Sequence, residues 1–324
     1  MELRKDYILD HWTIISKTRS LRPHQLKAEN FIHHDEKSPH FFCPGNEEMT
    51  PPETGRLADG KSWSMRYFPN KFAAVKPVGK YKVETHNDFF TFSDGFGRHE
   101  VIVETPNHDE KIWDFDKTRL VTLLKLYASR INDLDNQPHI EYVTMFKNHG
   151  IDAGTSIVHS HSQAIALAVV PPYVREKLDA IKRYDSCPYC KIIDIEKTGD
   201  RRVFENDGVV AFCPYASQYN LELWIFPKSH YKTLNDFNEE TYNDLADCLL
   251  TVFPKLKELN ASFNMMLFYS PGDNDLHFHI EIKPRIAKWA GFELGSGITI
   301  NAFPPESAAA FYRGENLEED DEKK

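Results

Sequence analysis

A chain of 324 residues is long enough for two domains of ordinary size, and an apolar fraction of 41% with 13% aromatics is that of a soluble globular enzyme. A formal net charge of -10 argues against a nucleic-acid backbone as partner. No apolar run reaches the roughly 18 residues that a membrane span needs, and Met1-Glu2-Leu3-Arg4-Lys5-Asp6 lacks a secretory core, so the expectation is a cytoplasmic protein with neither a nucleic-acid nor a membrane partner.

In chain order, the first half reads as a strand or turn near Tyr7 to Ser16, a segment rich in turn residues around Phe41 to Glu47, and strands near Phe72 to Pro77 and His99 to Glu104. A helix follows from about Asp116 to Asp133, where Leu120, Leu123, Leu124, Tyr127 and Ile131 keep the helical period. Strands at Glu141 to Phe146 and Ser162 to Val170 come next, and Pro171-Pro172 closes the half. The second half repeats this order, with strands at Gly208 to Cys213 and Leu221 to Phe226, a helix at Glu239 to Leu259, and strands at Asn264 to Tyr269 and His277 to Lys283.

Marker residues recur in step with the elements. A ligand pair (His40 with Cys43, then Cys187 with Cys190), a lone histidine (His108, then His230), a helix and an H-x-H (His159 and His161, then His277 and His279) appear in the same sequence in both halves. Two copies of one α+β unit explain this, each an antiparallel sheet with packed helices, divided near Val174 into residues 1–174 and 175–324.

The five cysteines are odd in number and scattered apart from one C-x-x-C, which favours metal ligation over a disulfide framework. Cys187, Cys190, His230 and His277 supply the two thiolates and two imidazoles of a closed tetrahedral zinc site. The competing reading is a redox pair with unrelated histidines. His40, Cys43, His108 and His159 make a second shell of one thiolate and three imidazoles, with His33 and His34 competing for the place of His40. Around a divalent ion that set leaves a net +1, which favours a nearby anion.

The string Gly154-Thr155-Ser156-Ile157-Val158-His159-Ser160-His161-Ser162-Gln163 sets two histidines and a glutamine on one face of a strand that runs on into Ala164 to Val170. Three buried polar groups need partners, and a metal and a phosphate supply them. With His159 on the metal, His161 is left to act as a nucleophile towards phosphorus, with Gln163 donating to a phosphate oxygen and Ser156 adding donors from the turn after Asn148 and Gly150. In the second half the same face reads His277, His279, Glu281. A carboxylate there repels phosphate, so one covalent site per chain is expected.

The G-x-S-x-x-H-x-H-x-Q string, Cys-Pro-Gly-Asn-Glu at Cys43 to Glu47, Arg19-Ser20-Leu21-Arg22-Pro23, and Ala290-Gly291-Phe292-Glu293 with Pro305-Glu306 together resemble the galactose-1-phosphate uridylyltransferase family, a branch of the histidine-triad superfamily. The likeness spans about Ile8 to Arg313. It implies two histidine-triad-like domains and ping-pong transfer of a nucleoside monophosphate between a nucleotide sugar and a hexose 1-phosphate. His161 matches the nucleophile, Gln163 the phosphate-binding glutamine and His159 the metal-ligating first histidine. Arg19 and Arg22 match arginines that clamp the diphosphate. Asn70 and Phe72 match a stretch lining base and ribose, Asn148 and Ser156 match residues near the phosphates, and Glu293 matches one near the sugar.

Zinc at two sites is implied, with iron the alternative at the second, and the family often dimerises. The chain departs from the family pattern at His40, at Lys71 and in His-Ser-His-Ser-Gln, and the last of these resembles the ADP-glucose phosphorylase branch. That keeps a nucleotide-sugar phosphorylase with inorganic phosphate as acceptor in view. A reading of another class is a non-catalytic, zinc-stabilised nucleotide-binding protein.

Overall fold

The computed structural model describes residues 1–16, 40–60 and 62–315. Along the first half run β1 (Glu2–Lys5), β2 (Trp12–Ile15), β3 (Gly55–Asp59), β4 (Ser62–Pro69), a small hairpin of β5 (Glu84–His86) and β6 (Phe90–Phe92), β7 (Gly97–Val103), helix α1 (Lys117–Asp135), β8 (Tyr142–His149) and β9 (His161–Leu167). The remainder comprises α2 (Pro172–Ile181), α3 (Pro188–Glu196), β10 (Arg202–Glu205), β11 (Val209–Phe212), β12 (Leu223–Pro227), α4 (Glu239–Glu258), β13 (Phe263–Phe268), β14 (His279–Pro284), α5 (Gly291–Ser296), β15 (Thr299–Asn301) and α6 (Pro305–Arg313).

Ten of these strands form one continuous sheet in the order β10-β11-β12-β14-β13-β8-β9-β7-β4-β3. Every neighbouring pair in it is antiparallel. Read outward from the central β13·β8 pair, each half lays down its five strands in the same order. The α+β architecture expected from the repeated markers is therefore present, and the two sets of strands share one backbone ladder rather than packing as separate sheets. A smaller sheet of β1, β2 and β15 ties the N-terminal strand pair to the C-terminal region.

The two long helices begin at side-chain caps in equivalent places: Asp116 accepts from the Arg119 N–H and Asn238 from the Thr241 N–H, both at 2.8 Å. α1 and α4 pack on each other, α1 over β8 and β9 and α4 over β10 and β11. Strand β9 shows why α1 can lie close: Ala164 and Ala166 are fully buried, and Ser162 meets Tyr127 of α1 at 2.6 Å. Side chains alternate along a strand, so His161 and Gln163 point to the face opposite α1.

On that opposite face the halves differ. Every second residue of β9 from Gln163 onward is only partly buried, whereas β14 is buried throughout except at Lys283. Over β14 lie Tyr173 and Lys177 of α2 and Tyr189 of α3.

One expected strand is absent. Residues 72–77 form turns and bends with a single bridge from Lys76 to Phe96, and Phe72 is 85% exposed. The Phe72 N–H is taken by the Asn70 side chain at 2.8 Å, a local turn that competes with strand pairing. The strand in this region is β4, whose alternation is hidden by a fully buried Arg66 between Met65 and Phe68. His159 also precedes the strand rather than lying within it, and His277 does the same before β14.

Candidate active site

Strand β9 starts at His161, whose ring is held by its own backbone: Nδ1 lies 2.9 Å from the carbonyl oxygen of His159. A carbonyl only accepts, so Nδ1 carries the proton and Nε2 keeps its lone pair. Burial pushes the His161 pKa down, so the ring is neutral near pH 7. Phe42 packs edge-on against it, with ring centroids 5.4 Å apart, and against His159 at 6.1 Å. Behind the strand, the fully buried Lys147 donates to Glu104 at 2.6 Å, to Ser160 at 3.0 Å and to the His161 carbonyl at 3.0 Å. Burial alone would raise the Glu104 pKa, but the Lys147 ammonium and the Ser160 and Ser162 hydroxyls outweigh it and hold the carboxyl below its usual range. This closed charge pair fixes the backbone from which both His159 and His161 project.

Beside the nucleophile candidate is a cluster of side chains that could hold a metal ion. Cys43 Sγ lies 3.6 Å from His40 Nδ1, 3.6 Å from His108 Nδ1 and 3.7 Å from His159 Nδ1. Thiolate and imidazole ligands around one tetrahedral ion stand about 3.5 Å apart; the ligand atoms of His40, Cys43 and His108 lie within 4.8 Å of one another and could hold such an ion, and His159 Nδ1 approaches the same sulfur. His159 Nε2 donates to the Thr105 carbonyl at 2.7 Å, which leaves the Nδ1 lone pair facing Cys43. The second cluster, Cys187, Cys190, His230 and His277, brings its ligand atoms within 4.8 Å of one another. Cys190 Sγ lies 3.4 Å from His230 Nδ1 and 3.5 Å from His277 Nδ1. His277 Nε2 donates to the Pro227 carbonyl at 2.9 Å, at the end of β12 as Thr105 follows β7.

Of the other residues singled out in the sequence, Gln163 sits on the His161 face and its Oε1 lies 3.4 Å from Asn70 Nδ2. Asn148 stands directly opposite Asn264 in the β8·β13 ladder, and its Oδ1 accepts from Asn264 Nδ2 at 2.8 Å, so its own amide hydrogens are left to donate. Ser156 is exposed, just after Gly154. Gly150 and Gly154 bracket the turn at φ +82° and +85°, where L side chains are strained, and a Cβ at Gly150 would meet Ser262 Oγ at 2.2 Å. The Glu293 carboxylate is engaged within its own short helix, accepting from the Ala290 N–H at 3.0 Å. Phe72 is exposed beside Asn70, and Arg19 and Arg22 lie outside the described residues.

In the second half His279 repeats the ring geometry of His161, with Nδ1 2.8 Å from the His277 carbonyl. There the Lys177 ammonium lies 3.2 Å from His279 Nε2 and 2.7 Å from Glu281, and all three side chains are fully buried. The Lys177 and Lys283 ammoniums outweigh burial and keep Glu281 well below the usual carboxylate range. Next to His279 Nε2 the protein thus places a cation of its own. Sequence reasoning found the carboxylate but missed Lys177, together with His99, Lys147, Glu104 and Asn264, because their partners are distant in the chain.

The sequence profile of the galactose-1-phosphate uridyl transferase N-terminal domain matches residues 1–171, and a domain of unknown function (DUF4921) matches 116–312. An ADP-glucose phosphorylase of Arabidopsis thaliana is 32% identical, over 98% of this chain and 93% of its own length. This chain belongs to the galactose-1-phosphate uridyl transferase family. A galactose-1-phosphate uridylyltransferase of Thermotoga maritima is 27% identical over 98% of this chain and 99% of the relative. Among solved structures, an Arabidopsis ADP-glucose phosphorylase with bound ADP-glucose superposes with a TM-score of 0.82 at 31% identity, covering 98% of this chain and 99% of that one. Family membership is thus carried by the whole length of the chain, including the half whose second histidine is plugged.

Proposed function

We propose that this chain is a nucleotidyltransferase that moves a nucleoside monophosphate between a nucleotide sugar and a hexose 1-phosphate by ping-pong through His161. The observation that carries the reading is the His161 ring: Nδ1–H is tied to the His159 carbonyl and Nε2 is unprotonated, on a strand whose same face carries Gln163 two residues on. Nε2 attacks the α-phosphorus of the donor, the N–P bond forms as the P–O bond to the sugar phosphate breaks, and sugar 1-phosphate departs with the bonding electrons. Amide hydrogens of Gln163 and Asn148, with Ser156, meet the charge that develops on the phosphate oxygens. An oxygen of the acceptor phosphate then attacks the same phosphorus, and His161 returns neutral with its Nδ1 proton in place. Arg19 and Arg22 are assigned to the diphosphate, Asn70 and Phe72 to the nucleoside, and Glu293 to the sugar.

We assign zinc to both clusters. At the first, His40, Cys43, His108 and His159 would hold the ion, which would supply fixed positive charge and tie down the loop carrying Phe42. The second cluster, with two thiolates, has the donor set of a closed structural site.

A second reading, a phosphorylase that discharges the same adduct to inorganic phosphate, is favoured by the 32% identity to a relative named ADP-glucose phosphorylase. One experiment tests both. Incubated with ADP-glucose alone and UDP-glucose alone, the chain is expected to gain the mass of one nucleoside monophosphate from the donor it uses. Inorganic phosphate or hexose 1-phosphate, added next, removes that mass and names the acceptor. A metal-loaded chain that gains no mass with either donor would overturn the assignment and leave the non-catalytic reading.

A further inference from the structure

Gln163 can help a phosphate only if its NH₂ group, not its oxygen, faces the ligand. The two ends of a carboxamide are nearly equal in size, and the wrong one would set a lone pair against phosphate oxygens. Something must therefore choose the orientation. His99, buried on β7, is in contact with that choice: its Nε2 lies 2.8 Å from Gln163 Oε1.

The proton on His99 follows from its other side. Nδ1 lies 3.1 Å from the backbone N–H of Ala74, which can only donate, so Nδ1 accepts and in the neutral ring Nε2 carries the hydrogen. Burial pushes the His99 pKa down, which favours the neutral ring. Nε2–H therefore donates to Gln163 Oε1, and the oxygen is occupied. Asn70 adds to this: its Oδ1 accepts the Phe72 N–H at 2.8 Å, and its Nδ2, 3.2 Å from His99 Nε2, which already carries a hydrogen, donates to the same Gln163 oxygen at 3.4 Å. The Gln163 amide hydrogens are left for a ligand.

The second half provides a comparison. In the β12·β14 ladder Trp224 faces Glu281 and Leu223 faces Ile282, and continuing that register by one residue sets Glu222 opposite Lys283, the place that His99 holds opposite Ile165. Glu222 is occupied with the backbone N–H groups of Gln218 and Tyr219 and with the Trp224 indole. The half with a plugged histidine thus has no imidazole at this position, and the half with the H-x-H-x-Q string does.

We infer that His99 is a positioning residue that links the backbone of the 70–77 loop, at Ala74, to the Gln163 carboxamide and turns its N–H bonds towards the phosphate that His161 attacks. The inference rests on the nucleotidyl-transfer reading. Order at the nucleoside side of the pocket is passed through one ring to the phosphate side, so the two are aligned together.

The two edges of the ring can be tested separately. His99→Asn keeps an acceptor near the Nδ1 position but cannot reach Gln163, whereas His99→Gln keeps a donor near the Nε2 position. The readout is the single-turnover rate of adduct formation by intact mass, with whichever of ADP-glucose or UDP-glucose labels the wild-type chain. His99→Asn is expected to slow adduct formation by about 10-fold or more, the size of effect that a misplaced phosphate donor produces. His99→Gln is expected to stay within about threefold of wild type. In a Gln163→Ala background His99→Asn should slow the step no further, because it acts through the missing amide. A wild-type rate in His99→Asn, equal losses in both single variants, or the full loss repeated in the Gln163→Ala background would each overturn the inference. Absence of an adduct on the wild-type chain would instead overturn the nucleotidyl-transfer reading itself.

Discussion

His161 and His279 are the same device in two settings. Each ring donates from Nδ1 to the carbonyl two residues earlier, at 2.9 and 2.8 Å, and the difference is the Lys177 ammonium 3.2 Å from His279 Nε2. A buried cation on that nitrogen takes up the lone pair and the space that a phosphate would need. Other single residues make stability depend on pH. His149, buried against Trp113 and Phe263, has its pKa pushed down to about 3 by burial and then by Lys147 and Lys111. The folded chain refuses a proton there that the unfolded chain binds below about pH 6.5, so stability falls as the pH drops from about 6.5 towards 3, by roughly 1 kcal/mol per pH unit for this group. His149→Phe is expected to remove that part of the slope in urea midpoints measured from pH 7 to 4; an unchanged slope would contradict it. At this scale the common face of His161 and Gln163 was legible because it follows from their spacing along one strand. His99, between Arg98 and Glu100, and Asn264, the one polar residue of β13, were not, since their partners lie 64 and 116 residues away.

Among the elements, β9 and β14 carry matching strings yet differ in cover: α2 and α3 close the outer face of β14, while Gln163 on β9 stays half-open. The loop with His40 and Cys43 also carries Phe42, so the contact against the His161 ring depends on how firmly that loop is tied down. The first cluster has one thiolate and an exposed His40, the second two thiolates, so the first is expected to lose its metal first to a chelator at neutral pH. Native mass spectrometry should then show a one-metal species that keeps metal at Cys187 and Cys190. Simultaneous loss of both metals, or earlier loss from the second cluster, would contradict this. Both long helices were legible, the first from its apolar period, and the structure adds their Asp116 and Asn238 caps. The mistaken strand at 72–77 and the missed β4 share a cause. Short-range alternation cannot reveal that Arg66 is buried against Thr50 and Glu53, or that Asn70 turns the chain on itself.

Over the whole molecule, the repeated markers correspond to two five-strand sets of identical order joined at β8 and β13. The join matters for the site, because Asn264 of the second set holds Asn148 of the first across it. The repeat was legible in the sequence, but the fusion of the two sets into one sheet was not, since no local pattern marks which strands meet at an edge. The central claim is that one half is chemically active and the other plugged. The number and position of nucleotidyl groups on the chain, trapped with donor alone and mapped by peptide mass spectrometry, test it most directly. The account predicts one group per chain, on His161, absent from His161→Ala and retained in His279→Phe, where the aromatic ring preserves the stacking on Phe226 and Phe268. Two groups per chain, or a group on His279, would contradict it.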